Sequence, residues 1–64
     1  MDLVADIIDR NGEIIFSHAG TVNRGGDFTP FVNEAMDAFS KEFPTVPTPT
    51  ESGTSGYKIT LRYG

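Results

Sequence analysis

Between Thr29 and Phe43 the apolar residues Phe31, Val32, Ala35, Met36, Phe39 and Phe43 recur at three- and four-residue spacing, and nowhere else in the chain does this pattern appear. Such spacing lays one apolar stripe along a helix, with Asn33, Glu34, Asp37, Ser40 and Lys41 on the opposite side. The other periodic segments alternate with a period near two, the signature of strands. A chain with one helix and several strands must spread that helix over a sheet, and a single helix covers only one sheet face. Thr29 is a suitable N-cap with Pro30 at the first helical position, and Pro44 restricts Phe43 and stops the helix there.

The first strand is read over Leu3 to Ile8 and the second over Ile14 to Ala19, with Asn11-Gly12 between them. Asn-Gly between two apolar runs is a strong hairpin signal, because both residues tolerate positive φ. With a two-residue loop, Ile7 faces Phe16, Ala5 faces His18, and Leu3 and Ile14 share that side. Val4, Asp6, Ile8, Arg10, Glu13, Ile15, Ser17 and Ala19 then share the other. A turn over Asp9 to Gly12 with a bulge at Gly12 competes and would pair Ile7 with Ile15. The first register is preferred, since it gathers Phe16, Ile7, Leu3 and Ile14 on one apolar face.

Residues 44–56 are rich in Pro, Thr, Ser and Gly, which favours extended and flexible backbone and predicts a mobile loop inside the single domain 1–64. A last strand follows, with Tyr57, Ile59, Leu61 and Tyr63 on one side and Lys58, Thr60 and Arg62 on the other. The expected fold is α+β, a ββαβ chain forming a three-stranded sheet of order 2-1-3 with the helix on one face. A central first strand explains why Leu3 to Ile8 is apolar on both sides. A short crossover would run the last strand antiparallel to the first; the long 44–56 connection would equally allow a parallel pair.

Composition removes several kinds of chemistry. The 64 residues include no Cys and one His, so disulfides, thiolate zinc sites, cysteine nucleophiles and multi-histidine metal sites are excluded. Ser17 and His18 are strand neighbours that point to opposite faces and cannot share a proton, so no catalytic residue is assigned and no enzyme is expected. His18 reads as a partly buried, hydrogen-bonded imidazole at the end of the core face. Asp9-Arg10-Asn11-Gly12-Glu13 lacks the ligands of a calcium loop, and Asn23 to Asp27 lacks the Lys-Ser/Thr of a phosphate loop, so neither metal nor cofactor is expected. No apolar run is long enough to span a bilayer, and the N-terminal segment is acidic and interrupted, which leads to a cytoplasmic expectation with no membrane partner.

The face left bare by the helix is the candidate site. Val4, Ile8 and Ile15 supply apolar contact there, Asp6, Lys58 and Arg62 set orientation, and Thr60 lies among them. The expected activity is stoichiometric: a small protein-interaction module, regulator or inhibitor, whose partner is another protein or a second copy. The competing reading is a nucleic-acid-binding sheet centred on Lys58 and Arg62. Residues 1–44 carry eight acids and three bases, a balance of -5, and residues 45–64 one acid and two bases, a balance of +1. The total of -4 argues against tight binding to a phosphate backbone. Both Tyr57 and Tyr63 also fall on the side away from the two cations.

Overall fold

The computed structural model describes all 64 residues. Strands β1 (Asp2–Ile8) and β2 (Ile14–Thr21) form a hairpin, helix α1 covers Thr29–Glu42, and strand β3 (Lys58–Tyr63) follows. The three strands are ordered β2-β1-β3 and both pairs are antiparallel. This is the expected ββαβ fold, and it decides the direction of the last strand.

The hairpin uses parts of both expected registers. From Asp2 to Ile7 the preferred pairing holds, with Ile7 opposite Phe16 and Ala5 opposite His18. The turn, however, is the competing one. Gly12 donates to the Asp9 carbonyl at 3.1 Å, Asp9 donates to the Glu13 carbonyl at 3.0 Å, and Gly12 alone takes the left-handed φ of 82°. Asn11 keeps a negative φ, so the expected two-residue Asn11-Gly12 loop does not form. The Asp9 carboxylate explains the choice, because its Oδ1 accepts the N–H groups of both Asn11 (2.9 Å) and Glu13 (3.0 Å). An irregularity between Ile7 and Ile8 reconciles turn with strand: Ile8 pairs with Ile14, and Ile15 becomes the extra residue. Two placements change in consequence. Ile14, expected in the core, is 58% exposed, whereas Ile15, expected on the open face, packs against the core.

The core comprises Leu3, Ala5 and Ile7 of the central strand, Ile59 of β3, and Phe31, Ala35 and Phe39 of the helix stripe. Phe39 is fully buried and meets Phe16 edge-on, with ring centroids 5.5 Å apart. Burial of a single ring of this size contributes about 1.5–3 kcal/mol. The helix packs over the β2 side of the sheet, close enough that a Cβ at Gly20 would lie 2.7 Å from the Phe31 ring. Its lean explains why Leu61 and Tyr63, on the same side of β3 as the buried Ile59, are 39% and 72% exposed. Thr29, expected as the N-cap, is the first helical residue. Asp27 instead supplies the capping oxygen, accepting the Thr29 N–H at 2.9 Å. The helix ends at Glu42, and the Phe43 N–H closes it on the Phe39 carbonyl, one residue before Pro44.

The 44–56 connection follows a defined path. Pro49 is fully buried, and Thr50 forms a parallel bridge beside Lys58 at the outer edge of β3. Beyond it, Thr54 donates its N–H to the Thr50 hydroxyl at 3.1 Å. No helix is long and apolar enough to cross a membrane.

Candidate interaction face

Pairing fixes which side chains share the face opposite α1. Four cross-strand rows lie there: Thr21-Asp2, Ala19-Val4-Arg62, Ser17-Asp6-Thr60 and Ile14-Ile8-Lys58. Six of the seven predicted residues are thus brought together, and Ile15 is the one displaced, its place beside Ile8 taken by Ile14. Val4, Ile8 and Thr60 are half-buried, while Lys58 and Arg62 are exposed.

The centre of the face is charged rather than apolar. Asp6, expected to orient a partner, is only 4% exposed. Its Oδ1 accepts the Ser17 hydroxyl and its Oδ2 accepts the Arg62 Nε–H, both at 2.7 Å. These bonds join all three strands through one carboxylate. Burial alone would push the Asp6 carboxyl up; the bonds from Ser17 and Arg62, with the Arg62 charge, outweigh it and hold the group below the usual carboxylate range. Asp6 therefore acts inside the protein, fixing Arg62 over the sheet. The Arg62 side chain remains 58% exposed, and Nε is the nitrogen bonded to Asp6, so the terminal N–H groups have no hydrogen bond within the chain. Lys58 pairs with no carboxylate.

Ser17 was not among the predicted site residues, although its position was readable: in the preferred register it falls opposite Asp6, as a hydroxyl opposite a carboxylate. Ile14 had no such signal, because its exposure depends on the bulge. On the other face, His18 stacks at a tilt on Phe31 with centroids 5.8 Å apart. Its Nε2 is 3.5 Å from Glu34 Oε1 and has no hydrogen-bond partner, unlike the bonded imidazole expected. No three carboxylate or imidazole groups converge on one point.

Comparison of the chain with protein-family models, with curated proteins and with solved structures yields no match.

Proposed function

We propose that the protein is a small non-enzymatic interaction module, a stoichiometric regulator or inhibitor that docks its uncovered sheet face on another protein. The partner surface is apolar with carboxylates at its edge. The observation that carries this reading is the free cationic capacity beside bare apolar side chains. Arg62 is held in place by Asp6 with its terminal N–H groups unbonded, Lys58 has no ion-pair partner, and Ile14 and Ile8 lie in the same row as Lys58. An anchored guanidinium loses little side-chain entropy on binding a carboxylate, which favours an acidic rim on the partner. Tyr57 supports the choice of a protein over a nucleic acid: it packs towards Phe39, at 6.3 Å between centroids, and cannot stack a base beside the cations.

The test uses capture of binding proteins by three folded forms of the chain: wild type, Ile8→Asp with Lys58→Glu, and Glu34→Lys on the helix as a control. A protein held by wild type and the helix variant but lost by the face variant supports the reading. Retention by the face variant overturns it. Affinity for oligonucleotides that falls steeply with salt would transfer the face to nucleic acid. Concentration-dependent mass in sedimentation, abolished by the face variant, would transfer it to a second copy.

A further inference from the structure

We propose that a second surface, the bare half of the β3 edge with the groove beside it, takes up an extended basic and apolar peptide segment as a fourth strand. This surface is independent of the open face and involves other residues.

Hydrogen-bond directions along β3 define the edge. Gly64 donates its N–H inward to the Asp2 carbonyl at 3.0 Å. Antiparallel alternation then turns the amide groups of Lys58, Thr60 and Arg62 towards β1, and those of Ile59, Leu61 and Tyr63 outward. The start of this outer edge is already occupied. Ile59 donates to the Thr50 carbonyl at 3.2 Å and Thr50 donates to the Tyr57 carbonyl at 3.1 Å, which makes the Pro49-Thr50 segment a one-residue parallel strand. Nothing in the chain continues that pairing to Leu61 and Tyr63. Edges of this kind are ordinarily guarded by Pro, by a bulge or by charge. Of the two cations on β3, Lys58 stands beside the half that Thr50 occupies, and Arg62 on the bare half is bonded to Asp6 on the open-face side.

Beside this edge, on the helix side, lies a groove of about 450 Å³. Ile59 and Leu61 of β3, Val32 and Met36 of the helix, Phe28 before it and Pro49 line it. Asp27 and Glu51 are its charged lining residues, with no Lys or Arg. A strand added at Leu61 and Tyr63 places alternate side chains on the groove side, so one large apolar residue can enter while its neighbours two positions away reach the acidic rim. Lys or Arg suit those flanking positions.

A second copy fits the edge poorly. Twofold pairing centred on Leu61 needs the outward Ile59 N–H, which Thr50 already holds. Centred on Arg62, it sets two guanidiniums directly opposite across a close pair, with Cα atoms ~4.5 Å apart.

The probe is the capped peptide Lys-Thr-Leu-Thr-Lys, titrated to ~2 mM into the labelled full chain and followed by amide chemical shifts and hydrogen exchange. A dissociation constant on the order of 100 µM is expected, as for a small, weak interface. The Leu61 and Tyr63 amides should shift and become slower to exchange, while those of Val4 and Ile8 stay unchanged. Backbone N-methylation of the peptide should abolish the effect, Glu in place of its Lys residues should weaken it strongly, and Glu51→Lys in the protein should weaken it about threefold. Absence of shifts, equal binding of the N-methylated or Glu-bearing peptide, or shifts on the Val4 face instead would overturn the proposal. So would concentration-dependent shifts at Leu61 and Tyr63 without peptide, which would give the edge to self-pairing.

Discussion

Arg62→Met removes the guanidinium from the central bridge and keeps an apolar stem of similar length. The Asp6 carboxylate, 5% exposed, is then left with the Ser17 hydroxyl as its one side-chain partner. Loss of a hydrogen bond to a charged, buried group costs about 1.5–3 kcal/mol. The lower end applies, because the face is open and water enters where the guanidinium stood, so ~1.5 kcal/mol is expected at pH 7. A chain of this length has only ~3–10 kcal/mol of stability, and at ~1 kcal/mol per molar urea the midpoint should fall by ~1.5 M. The pH dependence identifies the cause. In the wild type the Asp6 carboxyl lies below its ordinary value, so its contribution is present above about pH 4 and is lost as pH falls through the lower, folded-state value. In the variant, burial dominates and the group moves up, so low pH relieves it. The difference between the two proteins should therefore shrink to below ~0.5 kcal/mol near pH 3. Urea unfolding at pH 7, 5 and 3, followed by circular dichroism, measures it. A deficit of equal size at all three pH values would refute the bridge and assign the loss to packing of the Arg62 stem.

Three other outcomes are expected. Gly20→Ala drives a methyl group to 2.7 Å from the Phe31 ring and should cost about 1–3 kcal/mol in thermal or urea unfolding, with Phe31→Leu in the same chain recovering part of it. Asp27 is held below the usual carboxylate range by the Thr29 backbone bond and then by the Thr29 side chain; its stabilising effect is present above about pH 4 and lost below the lowered value. Asp27→Asn should accordingly lose less stability than wild type in a titration from pH 5 to below 3. Phe39→Ala empties the centre of the core at a cost of about 3–5 kcal/mol and should leave the chain largely unfolded at 37 °C, as read by loss of amide dispersion.

The order of elements was legible because helical and strand periodicities occupy separate stretches, and because the central strand must be apolar on both sides. The direction of β3 was not legible. A connection as long as 44–56 can reach either end of the sheet, and its choice rests on Pro49 burial and the Thr50 bridge, neither of which leaves a periodic trace. The hairpin shows a sharper limit. Asn11-Gly12 and the Ile7–Phe16 pairing each favour one register when taken alone. The structure satisfies the strand pairing and gives the turn to Asp9, whose carboxylate accepts two backbone N–H groups. One surplus residue absorbs the conflict, and that residue is Ile15, a member of the predicted site.

The same local competition sets the character of the open face. Sequence alternation assembles Val4, Ile8 and their charged neighbours correctly, since period-two patterning determines face without reference to partners. It cannot separate charges that touch solvent from a charge that neighbouring strands enclose, because this depends on β2 and β3 meeting at Asp6 from opposite sides. Enclosure changes the chemistry available. The bridged Asp6 offsets most of the Arg62 charge, yet it engages the guanidinium through Nε alone, and the terminal N–H groups remain able to donate elsewhere. The β3 side of the face keeps Lys58 as its unpaired cation, Asp2 and Asp6 lie beside it on the central strand, and Glu34, Asp37 and Glu42 lie on α1, across the sheet. Arg62 thereby joins β3 to the central strand on the open face, and the outward amides of Leu61 and Tyr63, whose side chains lie on the helix side, form a separate edge beside it.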